Sequence, residues 1–592
     1  MQSPPLSDDG DTHLTRRAML ASTAAGLSVA TSGCIREVRS AVNRDRLEQL
    51  SITITVQPAD GDHQAIQIAH RLADTLEAVG IDTSFAMRST EEFHREILLN
   101  HNFDCYIGRH PGGPDPDFLY EACHSRFAEE GGWQNPFGVA STQMDNLLEA
   151  QRQAPSDDRQ MAVTECLEYL ADEQPFVPIC RMDDVRLVRT TAFDGWNGDA
   201  LDGRLGYLDL ETEASTLTGT VIYPSTSENL NPLSAEYRNQ ELFVELLYDS
   251  LATVGPDEES DDDTDLLAWL ASDWTWDDDE RRLTVTMRDG HTFHDGEPVT
   301  VDDIAFTYEF LADTARGGTV VPAPSPRYRG TISAFERLEQ ADDDWTFDLV
   351  VDGTAAVAER LLTVPILPAH IWEERAAEAS VPGVQLAQGT TEALVTDNIP
   401  PIGSGPFAFD DVATRDYLEL VRYDEHFTQS DDVDLPAVTV ESLRALIDPR
   451  SPSAISMLEA GDAHVTFSGL EAYAIDEIET GDDLEMFRST PTAFYHLGFN
   501  VRRAPFSNPF FRRAVARLLD KAWLVDDVFQ GYATPLGTPV TSAWTPDSLA
   551  FDGRDPVVPF AGEDGDLETD VARARFTEAG YRYDGDRLVV RG

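Results

Sequence analysis

The chain has 592 residues, with 107 Asp and Glu against 44 Lys and Arg, so its formal net charge is −63. This length leaves room for two or more domains with buried cores, and a hydrophobic content of 41% argues against global disorder. The charge repels phosphate backbones and anionic lipid surfaces, which excludes electrostatic binding of nucleic acid and docking on membranes through basic patches.

The N-terminal segment has an export pattern. Arg16 and Arg17 precede a stretch of small or apolar residues that ends in Gly33-Cys34. The stretch is shorter than the roughly 20 residues that span a bilayer. It resembles a twin-arginine signal followed by a lipobox, which implies lipid attachment at Cys34 and a place on the outer face of the cytoplasmic membrane. The alternative is an uncleaved N-terminal tail.

The following part of the chain, up to residue 213, has an α/β pattern. Period-two alternation indicates strands, and apolar residues at helical spacing indicate helices. In chain order the pattern predicts a strand at Ser51–Val56, a helix at 62–79, a strand at 102–108, a sharp loop at 112–116, and helices at 141–154 and 157–173.

Four cysteines lie in this part of the chain, at Cys105, Cys123, Cys166 and Cys180. Their spacing does not fit a zinc site, which needs close pairs of cysteines. An extracellular setting permits disulfides, with three possible connectivities for four cysteines. Free buried thiols are the alternative, and the sequence leaves the choice open.

Acidic residues are spread over the whole chain, and Lys521 is the only lysine. This distribution favours a solvated acidic shell on a protein that works in high salt, because the Debye length falls to about 3 Å at 1 M and like charges are then screened. The densest acidic run, 256–265, is interpreted as a solvated loop. As a calcium loop it lacks the glycine and the distal glutamate of an EF-hand.

A new series of strands and helices begins at Thr216. Within it, residues 283–294 predict a hairpin that turns at Asp289-Gly290, and Asp302-Asp303 is predicted to cap a helix at Ile304–Leu311. The stretch Met287–Phe306 resembles the signature of extracellular solute-binding proteins of peptide-type ABC importers, solute-binding family 5. Further segments resemble that family in the same order, at 229–232, 246–251, 270–274, 402–407, 495–500 and 505–521.

The order of the family's segments breaks near the end of the chain. The family's closing pieces, which include a Pro-Asp-Pro loop and an Asn-Leu-Leu helix, resemble residues 114–117 and 144–148 instead. We infer a circular permutation, in which the family's C-terminal third precedes its usual start near Thr216. Leu588–Val590 should then lie close to Leu50–Val56, and a separation of tens of ångströms would contradict the inference.

The resemblance implies an α/β, two-lobed, periplasmic-binding-protein-like (type II) fold with an interlobe cleft and a hinge, here circularly permuted. The chain would divide into a signal with lipobox at 1–34, a tether at 35–49, part of lobe 2 at 50–178, lobe 1 at 179–489 and the rest of lobe 2 at 490–592. The implied function is that of an ABC-importer lipoprotein, a monomer, which captures a peptide or similar polar solute for a membrane permease. An orphan surface sensor or scaffold is the main alternative.

Candidate ligand-binding residues follow from the same resemblance. Family members hold a ligand's ammonium group with an aspartate just before the Pro-Asp-Pro-like loop, and here that place falls at Gly112 or Gly113. Arg109 and His110 could face an anionic or polar ligand group, or lie on a solvent-facing turn.

Two aromatic residues complete the candidate site. Tyr495 lies where the family often presents an aromatic side chain to the cleft, although core packing is an equal alternative. Trp133, beside two glycines, could stack on a ligand or belong to the rim or the core.

No catalytic residue, metal site or cofactor is predicted. Gly403-Ser404-Gly405 is not a nucleophile elbow, and no motif ties a histidine to it. His291 and His294 have the spacing of a metal pair, but on a strand such a pair points to opposite faces. A secreted hydrolase is therefore a minor alternative.

Overall fold

The computed structural model describes residues 47–59, 61–235, 241–255, 266–320, 322–341, 343–380, 390–430, 432–476, 478, 481 and 483–591. Three predicted features lie outside the described residues: the signal with Cys34, the tether up to residue 46, and the acidic run 256–265.

The first described part of the chain alternates strands and helices, as its pattern predicts. Its strands are β1 (Leu47–Gln49), β2 (Ser51–Val56), β3 (Asp82–Met87), β4 (Cys105–His110), β5 (Phe176–Met182) and β6 (Asp184–Arg189). Its helices are α1 (His63–Ala78), α2 (Thr90–His94), α3 (Phe118–Cys123), α4 (Thr142–Gln153) and α5 (Ser156–Glu173). Strand β2 has the predicted bounds, and its alternate residues Ile52, Ile54 and Val56 are buried.

The middle of the chain contains half of the described strands. They are β7 (Thr216–Val221), β8 (Ala252–Val254), β9 (Leu266–Ala268), β10 (Ala271–Asp277), β11 (Arg282–Met287), β12 (Phe335–Gln340), β13 (Thr346–Val351), β14 (Phe407–Ala413), β15 (Tyr417–Arg422), β16 (Ser442–Ile447), β17 (Val465–Thr466) and β18 (Leu484–Ser489). The helices are α6 (Glu241–Leu247), α7 (Val301–Ala312), α8 (Ala355–Glu359), α9 (Ala369–Trp372), α10 (Ser451–Ala460) and α11 (Ala472–Ile475).

The last part of the chain adds strands and helices in similar proportion. The strands are β19 (Phe494–Phe499), β20 (Ala533–Pro535), β21 (Gly562–Glu563), β22 (Asp566–Leu567), β23 (Arg582–Asp584) and β24 (Arg587–Arg591). The helices are α12 (Pro509–Ala516), α13 (Lys521–Asp527) and α14 (Thr569–Glu578).

The predicted hairpin at residues 283–294 is wrong. Strand β11 pairs with β10 and β13, both antiparallel, and Thr292 forms only an isolated bridge with Pro298. After β11 the chain turns inward and buries Phe293 completely. Helix α7 also begins earlier than predicted, because Thr300 is its N-cap and forms a capping box with Asp303.

The sheets divide the described chain into two lobes. Lobe 1 contains a seven-stranded sheet, β14-β15-β16-β7-β17-β6-β18, and a four-stranded sheet, β10-β11-β13-β12, over one shared core. Lobe 2 contains a six-stranded sheet, β20-β5-β19-β4-β2-β3, with one hydrophobic core on each face. The small sheet β1-β24-β23 adds to lobe 2.

The chain crosses between the lobes at two neighbouring places. One crossing is Asp183, between β5 in lobe 2 and β6 in lobe 1, and the other is the segment 490–493 between β18 and β19. The predicted boundary at residue 178 falls inside β5, which continues in the lobe 2 sheet to Met182. Arg488 donates to Asp183 across the crossings, over 2.7 Å from Nε to Oδ2.

The two ends of the described chain meet in one sheet. Strands β1 and β24 are antiparallel partners, and the Leu50 amide donates to the Leu588 carbonyl over 2.9 Å. The expected closeness of Leu588–Val590 to Leu50–Val56 is confirmed. Residues 47–49 therefore belong to lobe 2 rather than to the predicted tether, because β24 offers them an open strand edge.

The four described cysteines are free and buried, so free buried thiols rather than disulfides are the alternative that the structure shows. Burial raises the pKa of each of these thiols above its ordinary value, which makes them poor nucleophiles. Among the described helices, none combines the length and apolar character needed to cross a bilayer.

Candidate functional site

Arg109 and Tyr495 are direct cross-strand partners at one end of the lobe 2 sheet. They lie opposite each other on β4 and β19, so their side chains share a face, and the Arg109 guanidinium carbon lies 5.8 Å from the centre of the Tyr495 ring. The same face carries Ile107 and Leu497 into one core of lobe 2. This end of β4 is its carboxyl end, where ligands bind in open α/β sheets.

Asp62 joins this pair from the start of helix α1. Its Oδ1 accepts hydrogen bonds from the Ala65 amide over 2.8 Å and from the Tyr495 hydroxyl over 3.0 Å. The position follows from topology, because β2 is parallel to β4 and the chain enters α1 from the carboxyl end of β2. Burial raises the pKa of Asp62, although Ala65, Arg109 and Tyr495 each act to lower it.

Lobe 1 reaches the same place through Tyr223, just after β7. Arg109 Nη1 donates to the Tyr223 hydroxyl over 3.4 Å, and the His63 and Tyr473 rings meet from opposite lobes with centres 5.4 Å apart. Burial alone would lower the pKa of Arg109, but Tyr223, Tyr495 and Asp62 raise it above its ordinary value. We call Asp62, Arg109, Tyr223 and Tyr495 the cleft cluster.

His110 lies on the other face of β4, away from the cleft cluster. It is 3% exposed, and its ring packs against the rings of Phe118, Phe494 and Trp133. Its Nδ1 accepts a hydrogen bond from the Gly112 amide over 3.0 Å. Consecutive strand residues point to opposite faces, so Arg109 and His110 cannot both face one ligand.

Trp133 is in the core of lobe 2. It is 5% exposed, with its ring 5.4 Å from His110 and 6.0 Å from His94, measured between centres. Its amide donates to the Pro326 carbonyl of lobe 1 over 3.0 Å. Trp133 therefore packs in the core, and its backbone also contacts the other lobe.

Of the two positions where the resemblance places the family's ammonium-binding aspartate, Gly112 leaves no room for a side chain. Gly112 has φ of +66°, and a Cβ there would lie 2.3 Å from the Thr492 carbonyl oxygen. At Gly113 a Cβ would lie 3.3 Å from Phe118. The backbone at Gly112 is therefore shaped for glycine, whereas a side chain at Gly113 would require only a small shift of Phe118.

The cleft cluster combines polar groups of both signs. The Arg109 guanidinium is suited to a carboxylate, and the Asp62 carboxylate to an ammonium group, while both tyrosines can donate or accept. None of the described residues forms a group of three or more His, Cys, Asp or Glu that could hold a metal ion.

A histidine–carboxylate pair occurs elsewhere, inside lobe 1. His426 Nε2 lies 3.3 Å from Asp249 Oδ1, and both side chains are 1% exposed. The other ring nitrogen of His426 is bonded to Thr428. Because no substrate can reach these buried atoms, the pair gives no support to a hydrolase.

Comparison with known proteins identifies the family. The model of "Bacterial extracellular solute-binding proteins, family 5 Middle" matches residues 265–590. The oligopeptide-binding protein AppA of Bacillus subtilis is 26% identical over 251 residues, which is 42% of this chain and 40% of AppA. Heme-binding protein A of Haemophilus influenzae is 23% identical over 286 residues, covering 47% of this chain and 49% of that protein.

Solved structures of similar proteins include AppA of Bacillus subtilis with a nonapeptide, at 18% identity and a TM-score of 0.43, covering 63% of this chain and 66% of that one. A mannohexaose-bound periplasmic oligopeptide-binding protein of Thermotoga maritima matches at 20% identity and a TM-score of 0.44, covering 63% and 64%. The chain spans less than half the length of the two curated relatives named above. The family match covers more than half of the chain, and the protein belongs to family 5 of the extracellular solute-binding proteins.

Proposed function

We propose that this protein is the solute-binding component of an ABC importer, which captures a peptide or similar polar solute between its lobes and delivers it to a membrane permease. The observation that carries the proposal is the cleft cluster, in which Arg109 of lobe 2 contacts Tyr223 of lobe 1. Relatives named as peptide-binding support a peptide, and one named as heme-binding leaves other solutes open.

Capture would work by closure of the lobes around the solute. A solute closes the lobes only as far as it binds the closed form better than the open form. A bound carboxylate would take the place of Tyr223 on Arg109, and an ammonium group would pair with Asp62. The solute would then be bonded to side chains of both lobes only when they are closed.

A thermal-shift screen of peptides, sugars and other polar solutes in molar salt tests binding. At 100 times its dissociation constant, a solute should stabilise the protein by about 2.7 kcal/mol. Arg109→Ala should abolish most of that shift. Arg316→Ala should keep it, because Arg316 pairs with Glu373 on the surface of lobe 1.

Two outcomes would count against this function. A well-folded protein that no candidate stabilises would favour the orphan sensor or scaffold. Turnover of a stabilising solute would instead favour a hydrolase.

We also propose twin-arginine export and a lipid anchor at Cys34. Support comes from the paired arginines, the short apolar stretch and the cysteine that follows it. Cys34→Ser should release the protein from cells into the medium, as measured by immunoblotting of both fractions. A variant that stays with the membrane would contradict the anchor.

The circular permutation is part of the same proposal, with lobe 2 assembled from both ends of the chain. Its main support is the antiparallel pairing of β1 with β24. Further support comes from β2, β4, β5 and β19, which share one sheet although β19 lies more than 300 residues after β5. Lobe 1 would then be one continuous segment between the two crossings.

A further inference from the structure

A further contact between the lobes lies at Asp117, and none of its residues belongs to the cleft cluster. The Asp117 side chain is 0% exposed. Its Oδ1 accepts from Gln151 Nε2 over 2.9 Å and from Arg152 Nε over 2.8 Å, and its Oδ2 accepts from Arg152 Nη2 over 2.6 Å. Arg360 Nη1 also donates to Oδ2, from the other lobe.

The four side chains come from both lobes. Gln151 and Arg152 lie on α4 of lobe 2, whereas Arg360 directly follows α8 of lobe 1. Burial raises the pKa of Asp117, but Arg152 and Arg360 outweigh it and lower the pKa to about 2. The carboxylate is therefore charged at neutral pH, and the contact is a charge-assisted hydrogen bond.

Other polar contacts cross between the lobes beside Asp117. Arg152 Nη1 donates to Ser333 Oγ over 3.0 Å, and Gln153 Nε2 donates to Asp352 Oδ1 over 2.8 Å. Arg329 and Glu130 form an ion pair at 3.3 Å. In each pair one residue belongs to α4 or its preceding loops in lobe 2, and the other to residues 329–352 of lobe 1.

The Asp117 contact can break without leaving a buried charge unpaired. When the lobes separate, Asp117 keeps Gln151 and Arg152, which are on its own lobe. Arg360, which is 19% exposed in this structure, would pass into water. A buried ion pair is costly to break chiefly because one charge is left without a partner. Here that cost is absent, so the contact can open and close reversibly.

We propose that Arg360 is a positioning residue that holds the lobes closed through Asp117 and so sets solute affinity without touching the solute. The proposal extends the solute-binding function, but its first consequence needs no solute. Each state's population follows from the free energy that distinguishes closed from open. Loss of the Arg360 bond should shift the equilibrium about tenfold towards the open form.

The test is small-angle X-ray scattering of the full chain in molar salt without solute. Arg360→Gln should increase the radius of gyration, and Arg360→Lys should restore part of the change because it keeps a charged donor. The matched control is Arg316→Gln, which removes an arginine that pairs within lobe 1. Unfolding midpoints of Arg360→Gln and the control should agree, since the bond joins lobes rather than elements of one core.

Scattering of Arg360→Gln that matches both the wild type and the control would overturn the proposal. So would an open wild-type protein that Arg360→Gln leaves unchanged. If a solute is found, Arg360→Gln should weaken its binding about tenfold. Failure to find any solute would remove the proposed function while leaving the scattering result intact.

Discussion

Lys521→Met should lower the free energy of unfolding by about 3–5 kcal/mol, the usual cost of removing one partner from a buried ion pair. Lys521 is 3% exposed at the start of α13, and its Nζ donates to Asp555 Oδ2 over 2.5 Å and to the Leu536 carbonyl over 2.7 Å. The variant would leave the Asp555 carboxylate buried without its cation. Urea unfolding in molar salt measures the difference.

The matched control for Lys521→Met is Arg575→Met on α14. Arg575 pairs with Glu578 on the surface, with side-chain exposures of 43% and 64%. Its loss should cost less than about 1 kcal/mol. Equal effects of the two substitutions would show that the only lysine of the chain is not held by its buried partner.

Mild acid should destabilise the protein through buried histidines. Burial lowers the pKa of His94, His101 and His291 to about 4, and that of His496 to about 3. In the unfolded chain their pKa is about 6.5, so only the unfolded state takes up protons as the pH falls below that value. The stability that these neutral histidines contribute is fully present above pH 6.5. Between pH 6.5 and 4 the free energy of unfolding should fall by up to about 1.4 kcal/mol per pH unit for each histidine.

Some carboxyl groups act against this trend. Burial raises the pKa of Asp62, Glu130, Asp202 and Glu245. As the pH falls these groups take up protons in the folded state, and the cost of burying their charge disappears. The expected net result is still a fall in the unfolding midpoint across this range at constant salt. His101→Gln should reduce the number of protons taken up on unfolding by about one, so the free energy of unfolding should change less steeply with pH. A midpoint that does not change between pH 6.5 and 4 would contradict the prediction.

The sequence could predict elements whose pattern is set locally. Strand β2 was predictable because its alternation reflects one buried face, and the meeting of the chain ends followed from the order of family-like segments. The hairpin at 283–294 was not predictable from its turn residues alone. The chain bends at Asp289-Gly290, but Phe293 then enters the core, and β11 pairs instead with the preceding strand β10 and with the more distant β13.

The candidate site was predictable in part for the same reason. The resemblance points to Arg109 and Tyr495 separately, and the structure makes them cross-strand partners on β4 and β19. Period-two alternation alone separates His110 from Arg109. Asp62 had a recognisable signal, an aspartate just before a helix. Tyr223 had none, because its place depends on how the two lobes pack against each other.

The pairing of β1 with β24 has a mechanical consequence. If the protein is held to a membrane through its N-terminal segment, any drag on the body is transmitted at Leu47. The first bonds under load are then the three register pairs that join Leu47–Gln49 to Val589–Arg591. Because β1 can separate from β24 while β2 stays in the lobe 2 sheet, this pairing would break before either lobe is deformed.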